Sequence, residues 1–376
     1  MIKRSIQAEI EKKLFKGKAI IITGARQVGK TTLLKMLFEN RIPETIFLNC
    51  DEPDIRTMLN DSTSTKLKSI AGNKKIIVID EAQRVKNIGI TLKLIVDQLA
   101  EYQVIATGSS ALELSGEINE PLTGRKYEFN LYPFSWAELV NEFGYLETNR
   151  LLEERMIYGM YPEITQKHDE KKELLKSLTQ SYLFKDIFSY KELRKPEILE
   201  KLLHALALQI GNLVSFHELS NLLKVDNETI TKYISILEKA FVIFRLPPYS
   251  RNLRAEISRM RKIYFYDTGI RNALLNNFSP AAVRHDIGAL WENFIISERL
   301  KLNRNQKRDC NMYFWRTQQQ QEIDLLEIED EHINAFEFAW NPGAKKKIPQ
   351  TFMTTYPGSK QQIINRENFN PFLGIT

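Results

Sequence analysis

The sequence predicts an α/β protein that opens with a parallel sheet flanked by helices. Short β-branched apolar runs recur at residues 18–23, 45–49, 75–80 and 103–107, as strands buried on both faces do. A helix-period pattern follows the first run, with Leu33, Leu34, Met36, Leu37 and Phe38 on its apolar positions. A glycine-bearing turn joins that strand to that helix.

The turn reads Gly24-Ala25-Arg26-Gln27-Val28-Gly29-Lys30-Thr31-Thr32 and matches G-x-x-x-x-G-K-T. Its glycines let the chain wind tightly, so that backbone N–H groups and the helix N-terminus face phosphate. Lys30 is expected to reach the β and γ phosphates, and the Thr31 hydroxyl to bind Mg2+. The run at 75–80 ends in Asp80-Glu81-Ala82-Gln83. At a strand tip beside a P-loop, Asp80 would join the Mg2+ shell and Glu81 would polarise the attacking water as general base. ATP and Mg2+ are therefore the expected ligands.

The strand at 45–49 lies between the two motifs along the chain, and a glutamate directly follows Asp80. Together they point to an additional-strand P-loop NTPase. The strand at 103–107 runs into Gly108-Ser109-Ser110. A hydroxyl there would sit between the Walker motifs and sense the γ-phosphate; Ser109 is the first choice and Thr107 the second, with helix capping as the competing role. Arg125, in Leu122-Thr123-Gly124-Arg125 before a fifth strand at 126–131, is a candidate trans-acting or sensor arginine. A plain surface arginine is the competing reading.

These motifs, with Leu131-Tyr132-Pro133-Phe134-Ser135-Trp136-Ala137-Glu138 and Gly159-Met160-Tyr161-Pro162-Glu163, follow one another at family spacing. The chain resembles the prokaryotic AAA-type ATP-binding proteins that carry a C-terminal domain of unknown function. The resemblance implies ATP binding and hydrolysis over an AAA-type domain at 1–140. One departure is local: Gly159-Met160-Tyr161-Pro162 stands where Gly-Gly-Tyr/Phe-Pro is usual.

Residues 141–210 read as a helical linker or lid, with Leu151, Leu152, Met156, Tyr158, Leu174, Leu178, Tyr182 and Phe184 as apolar positions. A winged-helix-like domain is expected at 211–268. Ser215-Phe216-His217-Glu218 opens its first helix as a capping box, and Ile230, Tyr233, Ile234 and Leu237 form the buried face of the second. That second helix offers Lys232 and Lys239 against Glu228 and Glu238, with no arginine to read guanine. Domain packing or protein binding suits it better than a major groove.

Residues 269–376 carry the outline of a restriction-endonuclease-like α/β domain. Glu292 lies near a helix start, Asp324 on a strand, and Glu337 on the hairpin partner of that strand. Carboxylates so ordered converge on Mg2+, with a lysine two residues after the last to hold the water or phosphate. Here that position is Ala339, and Lys345-Lys346-Lys347 lie beyond Pro342, where a return into register is not expected. The domain therefore reads as a vestigial nuclease, catalytically incomplete.

Of the 376 residues, 43% are apolar and 27% charged, with a net charge of +6. No run approaches the roughly 20 apolar residues that cross a bilayer, and Cys50 and Cys310 suggest no disulfide framework. A cytoplasmic protein is expected. Basic clusters at Arg251, Arg254, Arg259, Arg261 and Lys262, at Arg299, Lys301, Arg304, Lys307 and Arg308, and at Lys345–Lys347 would suit DNA phosphates or a solvated surface. The readings are a Mg2+-dependent ATPase that switches domain or partner contacts, a DNA-processing ATPase with a degenerate nuclease domain, and an ATP-bound adaptor that does not hydrolyse. A DEAQ-type helicase would need a second parallel-sheet domain, and no such pattern follows residue 140. Protein partners and oligomeric state are open on sequence grounds.

Overall fold

Five runs of alternating or continuous apolar character become one parallel sheet: β1 (Ala19–Gly24), β2 (Thr45–Asn49), β3 (Ile76–Asp80), β4 (Gln103–Gly108) and β5 (Lys126–Leu131). The computed structural model describes residues 1–108, 118, 120–167, 169–180, 187, 195–249 and 261–375. The strand order is β2-β3-β4-β1-β5. Every residue of β3 and β4 is buried, as central strands require, whereas β2 and β5 alternate and lie at the edges.

This order matches a P-loop NTPase fold and refines one expectation. The strand that stands between β1 and β3 in space is β4, while β2, which lies between the two motifs along the chain, is an outer strand. All five strands run the same way, so their carboxyl ends share one edge of the sheet, where ligands of open α/β sheets bind. Helix α1 (Gln7–Glu11) precedes the sheet, α2 (Lys30–Phe38) follows β1, and α3 (Ile88–Gln98) follows β3. Ile88, Leu92 and Ile95 of α3 share one core cluster with Ile21, Ile77, Ile79 and Val104 of the sheet.

The chain divides into two compact units, residues 1–133 with 239–241, and residues 134–238 with 242–376. In the second unit, α4 (Trp136–Phe143) begins with a reciprocal capping box between Ser135 and Glu138. Trp136 is fully buried; its indole N–H donates to Asn370 at 2.8 Å and its backbone N–H to Glu298 at 2.5 Å. The Leu131–Glu138 motif thus fixes a helix start. Gly159 has φ +75°, and a Cβ there would lie 2.0 Å from the Asp267 carboxylate, which accepts the Met160 N–H at 2.7 Å. In the helical stretch Leu152, Met156, Leu175 and Leu178 are buried, and Leu174 is only partly so. Tyr182 and Phe184 lie outside the described residues.

Helices α5 (Phe216–Leu223) and α6 (Asn227–Lys239) are joined by a tight turn and followed by β7 (Ile243–Leu246) and β8 (Arg261–Phe265), which pair with β6 (Leu213–Val214) in the order β6-β8-β7. Ser215 caps α5 through the Glu218 N–H, and Asp226 accepts the Thr229 N–H at 2.7 Å. Helix α7 (Thr268–Leu274) and the long α8 (Ile287–Asn305) lead to a mixed sheet, β12-β11-β10-β9, of β9 (Asn311–Arg316), β10 (Glu322–Glu329), β11 (His332–Phe338) and β12 (Lys360–Ile364). Among the described residues no helix is long and apolar enough to cross a membrane.

Candidate functional site: the P-loop edge of the sheet

The first Gly of the motif ends β1 because nothing larger fits. A Cβ on Gly24 would stand 2.1 Å from the Leu131 carbonyl oxygen on β5. The chain then turns through Gln27 (φ +60°) and Gly29 (φ +92°) before α2 starts at Lys30. Glycine meets that left-handed φ without steric cost. The Lys30 ammonium is buried and donates to the Gly24 and Ala25 carbonyls at 3.1 and 2.9 Å. It is held inside the loop formed by residues 24–30.

Asp80, at the end of β3, and Thr31, in the first turn of α2, meet at the carboxyl edge of the sheet. The Thr31 hydroxyl donates to Asp80 Oδ2 at 2.7 Å, and the Thr107 hydroxyl donates to Asp80 Oδ1. Thr107 also accepts the Glu81 backbone N–H at 3.2 Å. One fully buried hydroxyl on β4 therefore ties Asp80 to Glu81. Glu81 has φ +53°, unusual for a side-chain-bearing residue and often found at functional positions. Gln83 Nε2 donates to its Oε2 at 2.7 Å, which aims the carboxylate. An Mg2+ ion needs hard oxygen ligands, and the adjacent Thr31 hydroxyl and Asp80 carboxylate supply them. The residues fit the ion and a triphosphate.

Other sequence candidates fall elsewhere. Ser109 lies outside the described residues; Thr107 is the polar residue of β4 seen among the site groups. Arg125 precedes β5 at the amino-terminal end of β1, since Ala19 pairs with Lys126 and donates its N–H to Arg125. That is the opposite end from the P-loop, about 20 Å away at the rise of a strand. Its guanidinium pairs with Asp97 at 2.7 Å, so it is not brought together with Lys30, Asp80 and Glu81 within this chain. Arg4 gave no sequence signal. It is buried and donates to the Val28 carbonyl at 2.7 Å and to the Tyr132 carbonyl at 2.5 Å, bracing the P-loop against the end of β5.

The C-terminal carboxylates converge, but on lysines. Lys262 Nζ lies 2.9 Å from Glu292, 2.6 Å from Glu322 and 3.6 Å from Asp324, and Tyr264 donates to Glu292 at 2.6 Å. Lys346 returns from beyond Pro342, contrary to the sequence expectation, and lies 2.7 Å from Asp324 and 2.9 Å from Glu337. The return is possible because residues 340–349 form an irregular stretch outside the strands. Among the described residues no group of three or more potential ligands is arranged to hold a metal ion. Glu292, Asp324 and Glu337 as placed do not fit one.

Electrostatics follow from that crowding. Burial would push the Asp324 carboxyl up, but the Lys262 and Lys346 ammonium groups hold it below the usual range. Burial and the neighbouring Asp324 push Glu337 from 4.5 up to about 7. Because its native pKa is raised, Glu337 contributes stability below about 4.5 that is lost as pH rises through about 7. The stability of Glu337→Gln relative to the wild type should therefore rise by on the order of 2 kcal/mol from pH 5 to pH 8, as the wild-type carboxyl ionises and the gap between the two proteins changes. Thermal melts across that range check it; a gap that does not change with pH would refute the assignment.

One basic cluster changes meaning in part. Arg299 pairs with Glu327 at 2.6 Å and lies over the Phe372 ring, and Lys301 is buried against Glu298 at 2.6 Å. Both are internal supports, not exposed cations. Arg251, Arg254 and Arg259 lie outside the described residues.

Known proteins resemble the chain in three stretches. Residues 16–140 match the family described as AAA domain, residues 149–281 a domain of unknown function (DUF8612), and residues 287–374 another (DUF4143). An uncharacterized protein of Mycobacterium tuberculosis is 28% identical over 327 residues, covering 86% of this chain and 70% of that protein. One of Haemophilus influenzae is 26% identical over 298 residues, 73% of this chain and 70% of its own length. Among solved structures, the Walker-type ATPase paby2304 of Pyrococcus abyssi aligns with a TM-score of 0.52 at 18% identity, over 73% of this chain and 96% of that one. That likeness is one of fold. Sheet order, motif geometry and these similarities together support a P-loop AAA-type ATPase domain in the first third of the chain.

Proposed function

We propose that the chain is a Mg2+-dependent ATPase whose nucleotide state switches contacts between its parts or with a partner. The observation that carries this reading is the Thr31–Asp80–Thr107–Glu81 chain of hydrogen bonds at the mouth of the P-loop. In it Lys30 neutralises the β and γ phosphates, and Thr31 and Asp80 hold Mg2+. Bound Mg2+ supplies charge neutralisation on the transferring phosphoryl group. Glu81, fixed by its strained backbone and by Gln83, accepts the proton of the attacking water. Thr107 links metal-shell and base residues, so a change at one is felt at the other.

The helix-turn-helix with its hairpin supports a winged-helix element. Its second helix exposes Glu228, Thr231, Lys232 and Lys239, and Glu238 is engaged by Arg245 in three bonds, one from the backbone and two from the guanidinium. That face suits a protein surface better than a DNA groove. The mixed C-terminal sheet, with carboxylates on α8, β10 and β11, supports a nuclease-derived domain that serves assembly. A DEAQ-type helicase finds no support, because among the described residues the parallel five-stranded sheet occurs once. Free cysteines and the lack of a described spanning helix favour the cytoplasm.

Phosphate release from ATP tests the proposal. Wild-type protein should turn over ATP only with a divalent ion, and Lys30→Ala should reduce turnover to background. Equal rates in the two proteins would reject hydrolysis at this site, while tight nucleotide binding with no turnover in either would favour an ATP-bound adaptor.

A further inference from the structure

The C-terminal centre has carboxylates on three elements and the chain's own cations among them. Glu292 comes from α8, Glu322 and Asp324 from β10, and Glu337 from β11. Four carboxylates this close repel strongly unless cations stand between them. Three side chains answer them: Lys262 is shared by Glu292, Glu322 and Asp324, Arg316 holds Glu322 at 2.5 Å, and Lys346 bridges Asp324 and Glu337. Lys262 is 1% exposed, so its charge is committed to this cluster.

The Lys346 contact is selective. Of the consecutive lysines 345–347, the flanking two are exposed and only Lys346 turns inward. Its nitrogen lies 2.7 Å from Asp324 Oδ2 and 2.9 Å from Glu337 Oε2, and the Phe338 N–H donates to the same Asp324 oxygen at 2.9 Å. A divalent ion bridging those two oxygens would sit about 2.0–2.6 Å from each. It would have to occupy nearly the same point as the ammonium nitrogen. A lysine that assists a metal stands beside the ion; Lys346 stands in its place.

We propose that Lys346 is a tethered cation that replaces a divalent ion between Asp324 and Glu337, so the native C-terminal centre takes up no metal there. The lysine absent at position 339 is then no loss, because the centre is organised around ammonium groups. The inference is independent of ATP turnover, whose residues all lie in the first unit.

Thermal unfolding of the full chain with Mn2+ or with EDTA tests this. Mn2+ taken up weakly at the nucleotide site shifts every variant equally, so the differences between variants report on the C-terminal centre. Lys346→Ala removes the bridge, and Lys346→Met does so while keeping the aliphatic stem; Lys346→Arg keeps the charge. In EDTA both neutral variants should melt below the wild type. Mn2+ should then raise each of them by roughly 2–4 °C more than it raises wild type or Lys346→Arg, reversibly on chelation. A wild-type shift as large as that of the neutral variants would overturn the proposal. So would neutral variants that gain nothing beyond the common shift.

Discussion

Glu81→Gln is expected to retain ATP and to lose its turnover by about 10²–10⁴-fold, the usual contribution of a positioned general base. The substitution keeps the side chain's volume and its capacity to bond Gln83, and it leaves the Thr107 bond to the Glu81 backbone N–H in place. Binding should therefore survive while proton acceptance is removed. Nucleotide binding followed beside phosphate release separates the two effects. A variant that hydrolyses within a few-fold of wild type would show that another group activates the water. One that neither binds nor hydrolyses would place Glu81 in the frame of the site instead of in its chemistry.

The second large effect is structural. Gly24→Ala puts a methyl group 2.1 Å from the Leu131 carbonyl oxygen and 3.0 Å from its carbon, and backbone cannot swing aside as a side chain can. Gly24 pairs with Leu131 in the β1–β5 register, so β1 and β5 must part where the P-loop begins. A loss of about 2–4 kcal/mol of unfolding free energy is expected, along with weaker nucleotide binding. Denaturant unfolding measures it directly, and an unchanged midpoint would mean that the strands separate at little cost.

These two residues illustrate what was legible beforehand. The P-loop and Asp80-Glu81 declare themselves because their chemistry needs fixed residue types at fixed local spacing after a buried strand. Thr107 was harder: β4 was readable as a strand, but which hydroxyl near its end faces Asp80 depends on its pairing with β3. Arg4 was invisible. It bonds to carbonyls 24 and 128 positions away, and bonds to backbone oxygen point to no partner residue type in the sequence. Lys346 eludes the sequence for a related reason, since a proline and an irregular stretch point to separation where the chain turns back across 22 positions to Asp324. Arg299 and Lys301 looked like surface charge because composition cannot tell a solvated cation from one buried against Glu327 or Glu298. The order of the sheet came only from three-dimensional pairing.

Lys262 has a consequence for how this protein can change over generations. It stands on β8, in the three-stranded sheet, yet its charge is balanced by carboxylates on α8 and β10. A neutral replacement of the lysine alone strands repelling carboxylates, and loss of a carboxylate alone leaves a buried ammonium short of countercharge. Substitutions on the two sides are therefore epistatic, each tolerable chiefly in the company of the other. The small sheet and the mixed sheet are bound to one evolutionary itinerary by a single side chain.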